Sequence, residues 1–404
     1  MLESLPLVFV LIGLALYTVL GGADFGAGFW QLFAGRGRHA ERIREEAHRS
    51  MGPVWEANHV WLIFVITVFW TAYPTAFGSI ASTLAVPLFI AAIGIVFRGA
   101  AYGLREGAAD ARETARIDTV FALSSILTPF ALGAAIGGIA TGRVPVGNAA
   151  GDMWSSWLNP TSVLIGVLAV GTSAYLAAVY LAADAARDGS AELERDFRLR
   201  ALGAGVVAGW IALAGIFVVD ADNHELSHSL LSGRALPAVI ASALAGAATL
   251  VLVNRRRYEP ARYCASVAVA AIVAGWALAR WPTILPGLTV HEAAAGHDTL
   301  VAITVAVLAG AVILFPALGY LFRLALTGGL VAPEHETAST ATEGLPHVAP
   351  RLLERSAAAC LVAGFGLLTV ADAAWAHAVG LVCLFAFIVL GFGAIVMPQL
   401  GSDA

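Results

Sequence analysis

The chain contains no lysine; all 23 of its basic residues are arginine. Charge of either sign is sparse, at 13% of 404 residues, where an ordinary soluble domain carries about 25%. Hydrophobic residues make up 59%, and the mean hydropathy is +0.80. So thin a polar coat cannot keep so apolar a core in water, which excludes a soluble globular enzyme. The net charge of −5, with no basic surface beyond the connections, excludes nucleic-acid binding. Cys264, Cys360 and Cys383 each stand singly in an apolar run. Without CxxC, CxxCH or paired spacing, disulfides, iron–sulfur clusters and covalent haem have no support. The opening Met1-Leu2-Glu3-Ser4 has no basic region before the first apolar run, so that run is expected to be an anchor and not a cleaved signal.

What the chain does have is long apolar runs. A spanning helix needs about 20 mostly apolar residues. Runs of that kind are expected near 5–33, 53–73, 77–97, 117–140, 160–183, 199–219, 236–253, 260–279, 298–322, 353–371 and 375–397. The fold class expected is all-α, a polytopic membrane helix bundle with a nine-span body and a C-terminal two-span hairpin. Arginines crowd the connections after spans one, three, five, seven and nine, and only Arg143, Arg234 and Arg280 fall on the alternate side. The positive-inside rule then puts the N-terminus outside and the C-terminus in the cytoplasm. Three segments follow: a membrane body over 1–325, a flexible polar linker over 326–350 and the added hairpin over 351–404. No internal repeat is evident.

Ionisable groups inside a bilayer are costly and become candidate functional sites. Asp24 lies in Leu20-Gly21-Gly22-Ala23-Asp24-Phe25-Gly26-Ala27-Gly28, where Gly22 and Gly26 form a GxxxG that lets a second helix approach. Glu56 lies in Gly52-Pro53-Val54-Trp55-Glu56-Ala57-Asn58-His59-Val60-Trp61-Leu62. Pro53 suits a first helical turn, which would place Glu56 where the helix dipole favours a carboxylate. Trp55, Asn58, His59 and Leu62 share a face, and Glu56 neighbours His59. Two readings stand side by side: acids serving helix packing, or a cytoplasmic proton entry through Asp24, Glu56 and His59. Burial would raise both carboxyl pKa values, and proximity would push them apart.

Of ten histidines only His59 lies within the spans of the body, with His377 at the start of the last span. One such residue near an interface is poor provision for haem, so none is expected to be bound by this chain alone. Asp220, Asp222, His224, Glu225 and His228 cluster in an outer connection whose spacing fits a solvated acidic loop better than a metal site. Asp372 reads as a turn residue in the last hairpin. No catalytic residue, cofactor site or metal site is assigned.

The segments 21–28 and 52–62, together with Trp281-Pro282-Thr283-Ile284-Leu285-Pro286-Gly287-Leu288-Thr289-Val290 and Ala293-Ala294-Ala295-Gly296-His297-Asp298-Thr299-Leu300, resemble subunit II of the cytochrome bd-type quinol oxidases. The resemblance covers about residues 5 to 325. It implies a non-haem-ligating membrane subunit packed against a larger subunit I, which carries two b-type haems, one d-type haem and the quinol site. It implies an electrogenic reduction of oxygen by quinol, with cytoplasmic proton uptake in which the acid of Trp55, Glu56 and Asn58 takes part. Many members have Asp where this chain has Glu56. Gly287 and Gly296 stand where relatives usually have Ser, and the hairpin 353–397 has no counterpart, so it reads as a peripheral packing element or a place for a small accessory subunit. Two alternatives stay open: a purely structural assembly subunit of that complex, and a secondary transporter, whose sites also combine Gly-broken spans with acids.

Overall fold

The computed structural model describes residues 2–35, 37–105, 111–326 and 350–370, with scattered positions from 373 to 390; at 49–57 it describes the backbone only. The chain forms two compact units, Met1–Ala317 and Leu318–Ala404. In the first, α1 (Leu5–Leu32), α2 (Arg38–Ala72), the short α3 (Pro74–Thr83), α4 (Ala85–Arg105) and α5 (Ala111–Ala140) run in sequence. The same order of two long helices, one short and two long then recurs. It comprises α6 (Pro160–Arg187), α7 (Ala191–Asp222), α8 (His224–Ser232), α9 (Leu236–Asn254) and α10 (Tyr258–Arg280). Within each set the first pair and the last pair pack together, and α6 joins the sets by lying against both α1 and α5. The repeat is one of element order, which explains why composition and motif spacing do not reveal it.

Eight of the described helices are long and apolar enough to cross a membrane, and Asn58–Ala72 is a shorter apolar stretch within α2. The protein is an integral membrane helix bundle.

Local chemistry sets the helix ends, and in two places it departs from the expected spans. The connection expected between spans one and two is mostly helix, because α2 already begins at Arg38. Ala40, Ile43 and Ala47 fall on one face and are all buried, while the opposite face is charged. A hydropathy window averages such a helix away. His39 contacts Asp196 at 2.5 Å and Glu192 at 2.9 Å, and Arg42 contacts Glu192 at 2.5 Å, pinning this extension to α7. Pro53 therefore lies inside α2, and Glu56 is not in an opening turn, so the helix-dipole argument for it fails. The expected span 77–97 is broken at Leu84, between α3 and α4. Pro87 clashes with the carbonyl four residues back, at Thr83, and is tolerated only in the first turn of a new helix.

The connection after α10 adds an antiparallel two-stranded ribbon, β1 (Thr283–Leu285) with β2 (Leu288–Thr289), to the all-α expectation. The short α11 (Val290–Ala293) and then α12 (His297–Leu326) follow it. Thr289 and Glu292 close α11 with a capping box. At the same end Tyr73 accepts from the Leu7 amide at 3.0 Å and donates to the Glu3 carbonyl at 2.5 Å. In the second unit α13 (Pro350–Val370) packs at Gly364 against Leu384, which a side chain at 364 would meet at 2.8 Å. Residues 327–349, most of the expected linker, lie outside the described residues, as do Asp372, His377 and the end of the last expected span.

Candidate functional site

The glycines of α1 determine what can sit beside Asp24. A side chain on Gly26 would come 1.9 Å from the Ser173 carbonyl oxygen, and one on Gly22 would come 2.7 Å from Leu176. α6 therefore lies directly on that face of α1. On the other sides, a side chain on Gly21 would meet Asn58 Oδ1 at 2.9 Å and one on Gly28 would meet Ser125 Oγ at 2.2 Å. Four small residues thus admit α2, α5 and α6 to the helix that carries Asp24.

Asp24 is 1% exposed, and its partner is a residue that sequence reasoning assigned to a connection. Arg98, also 1% exposed, donates from Nη1 to Asp24 Oδ2 at 2.6 Å and from Nη2 to Oδ1 at 2.6 Å. Nη2 also reaches the Asp24 carbonyl at 3.0 Å, and Nε donates to Ser125 Oγ at 2.9 Å. The guanidinium carbon lies 4.5 Å from the Phe121 ring centroid and 5.0 Å from that of Phe25. Arg98 is not a loop residue. It sits seven residues before the end of α4, about 10 Å inside it at helical rise, and Asp24 is about 12 Å inside the end of α1. In so apolar a setting the two charges are tolerable because each cancels the other and their hydrogen-bonding capacity is largely used.

Asn58 is fully buried and leans on the pair, with Nδ2 at 3.5 Å from Asp24 Oδ2. Asn58 Oδ1 and the Tyr17 hydroxyl are buried without a hydrogen-bond partner among the described residues. One turn of α2 carries Glu56, Asn58 and His59. The His59 side chain is half-buried and Trp61 is buried, while the side chains of Trp55 and Glu56 lie outside the described residues. Asp24 and Asn58 are brought together, along with Gly22 and Gly26 as the α6 contact. Both carboxylate oxygens of Asp24 are engaged by the one arginine fork.

At the opposite end, the acidic stretch 220–228 is the end of α7 and the start of α8, not a loop. Asp222 accepts from Arg143 at 2.5 Å and from Thr161 at 2.7 Å, and His224 pairs with Asp220 at 2.7 Å. Among the described residues no group of three or more His, Cys, Asp or Glu is placed to hold a metal ion.

A buried Asp–Arg pair on a glycine-lined helix, with Asn58 beside it, is the setting in which comparison with known proteins becomes informative. The family model described as cytochrome bd terminal oxidase subunit II matches residues 2–325. The chain belongs to that family. A Bacillus subtilis cytochrome bd ubiquinol oxidase subunit 2 is 30% identical over 133 residues, 33% of this chain and 38% of the relative. The Escherichia coli K12 cytochrome bd-I ubiquinol oxidase subunit 2 is 28% identical over 185 residues, 43% of this chain and 46% of the relative. These alignments thus span less than half of each relative. A bd oxidase structure from Geobacillus thermodenitrificans shares the fold, with a TM-score of 0.65 at 24% identity over 81% of this chain and 99% of that one. Residues after 325, which include α13, lie beyond the family match.

Proposed function

We propose that this chain is the subunit II of a quinol:oxygen oxidase, packed against a haem-bearing subunit I and ligating no haem itself. Haems b and d in that partner would supply the redox chemistry, with quinol as reductant and oxygen as acceptor. The arginine-rich ends of the helices face the cytoplasm in this reading, the N-terminus lies outside and the C-terminus inside. Surrounding lipid, and a small accessory subunit, complete the partners.

Within the chain we assign proton transfer to Glu56 and His59, with Asp24 held apart from it. The observation that carries this division is the two-pronged Asp24–Arg98 contact at 2.6 Å on both oxygens. A carboxylate so engaged acts as a fixed counter-charge and as a prop for α1, α4 and α5, which is the packing role. Asn58 links the pair to the turn that bears Glu56 and His59, and its unpaired oxygen can accept a hydrogen bond from water or a protonated neighbour. Glu56 would accept a proton from the cytoplasmic side and pass it on toward subunit I with His59 as relay. The secondary-transporter alternative is not retained, because the family match assigns the chain to an oxidase subunit.

The test is Glu56→Gln in the assembled complex, measuring oxygen consumption, proton uptake and haem content together. The expected result is lost turnover and proton uptake at full haem content. Unchanged turnover would reject the conducting role, and lost haem content with normal specific turnover would assign Glu56 to assembly instead.

A further inference from the structure

The turn between α9 and α10 gathers positive charge that nothing in the proposed proton path uses. Asn254 closes α9 and Tyr258 opens α10, so Arg255, Arg256 and Arg257 form the whole connection. Both helices are long and apolar enough to cross a bilayer. Three residues reach at most about 10 Å, so these guanidinium groups cannot leave the headgroup layer. The turn is also well fastened. The Arg257 amide donates to the Leu252 carbonyl at 2.9 Å and the Arg256 amide to the Val253 carbonyl at 3.1 Å, the bond pair of a Schellman cap. Arg256 holds the left-handed position at φ 55, where glycine is the usual residue and any side chain carries a steric cost. Arg198 braces the turn from α7, donating to the Asn254 carbonyl at 3.0 Å and to Asn254 Oδ1 at 2.9 Å.

The nearby acids are already engaged. Glu194 accepts from the Tyr258 hydroxyl and lies 3.7 Å from Arg256 Nε, and Glu259 pairs with Arg187 at 2.8 Å. The Arg255 and Arg257 side chains are exposed and make no hydrogen bond or ion pair among the described residues. Beside them the helices present Val251, Tyr263 and Val267, exposed by 50%, 72% and 54%. A tyrosine at this depth suits the boundary between headgroups and acyl chains.

We propose that this turn binds the phosphate headgroup of an anionic membrane lipid. Arg255 and Arg257 donate to the phosphate oxygens, which the planar fork of arginine matches, and the acyl chains lie along Val251, Tyr263 and Val267. Charge complementarity commits the site to an anionic lipid over a zwitterionic one.

The test is native mass spectrometry of the intact complex in detergent, titrated with phosphatidylglycerol or phosphatidylcholine. Arginines at a headgroup contribute about fivefold each, so the Arg255→Gln/Arg257→Gln pair is expected to weaken phosphatidylglycerol binding about 25-fold. The control pair Arg42→Gln/Arg44→Gln, which removes the same charge from the same end of the bundle, leaves it unchanged. Arg256→Gly separates fastening from binding: the melting temperature stays or rises, while phosphatidylglycerol affinity is unchanged because both donors remain. Millimolar inorganic phosphate does not displace the lipid. Unchanged phosphatidylglycerol affinity in the 255/257 pair, an equal loss in the control pair, equal affinity for phosphatidylcholine, or displacement by phosphate would each overturn the proposal.

Discussion

If Asp24 and Arg98 exist for one another, removing either alone should damage the protein far more than removing both. Arg98→Met leaves a 1%-exposed carboxylate with one long contact, Asn58 Nδ2 at 3.5 Å. Asp24→Leu leaves the guanidinium with Ser125 Oγ at 2.9 Å, the residue 24 carbonyl at 3.0 Å and two aromatic faces, so it should be the milder change. Breaking a buried ion pair by deleting one partner costs about 3–5 kcal/mol, whereas replacing both by apolar groups of similar size is often close to neutral. The expected order of destabilisation is therefore Arg98→Met, then Asp24→Leu, then the double variant, with a coupling of about 3 kcal/mol or more between the sites. The assay is a double-mutant cycle on the purified complex, unfolded by sodium dodecyl sulfate in mixed micelles and followed by tryptophan fluorescence. Independent sites add to within about 0.5 kcal/mol. Additivity at that level would refute the pair as a mutually dependent unit.

Four further outcomes are expected. Gly26→Ala must push the Ser173 carbonyl away from 1.9 Å and should cost about 1–3 kcal/mol or more. Gly103→Ala, with nothing within 4 Å, should be neutral or slightly stabilising in the same melt. Gly94→Ala collides with Thr128 Oγ1 at 2.2 Å, but Thr128 Cβ is 3.4 Å away, so adding Thr128→Ala should restore most of the lost melting temperature. A double variant no better than Gly94→Ala would contradict that geometry. Glu292 is held below the ordinary glutamate value, first by the Thr289 amide and then by its hydroxyl. Its capping contribution is therefore complete above the ordinary value and is lost as pH falls through the lowered one. Glu292→Gln should flatten that part of a stability–pH profile, and identical profiles would show that the cap does not titrate.

Most of the bundle could be read from hydrophobicity because a bilayer leaves few alternatives for twenty apolar residues. What hydrophobicity missed was governed by other chemistry. The first half of α2 is amphipathic, so Ala40, Ile43 and Ala47 count for little beside the charges around them, although their spacing is helical. Pro87 ends one helix and begins another inside a run that is apolar throughout, and only the steric demand of proline on Thr83 marks the break. The ribbon at 283–289 is too short to show a strand period. Placing Pro53 at a helix start was reasonable in isolation and failed because the helix had already been nucleated at residues packed against α7.

The candidate site was half legible for a related reason. Asp24 stands out because an acid inside an apolar run is costly, but an arginine beside the end of such a run reads as the usual basic flank, and Arg98 joins Arg105 in that reading. Electrostatics could have separated them. An intramembrane carboxylate needs a positive partner or a proton, and Ile95-Val96-Phe97-Arg98-Gly99-Ala100-Ala101 continues apolar beyond the arginine, which a flank does not do. Arg105 lies 26% exposed and pairs with Asp118 on its own side, whereas Arg98 has crossed into the interior at 1%. The same distinction bears on function. A charge census treats all arginines near one end of the helices as markers of orientation, yet one of them is spent neutralising Asp24, and the pair so formed ties α1 to α4.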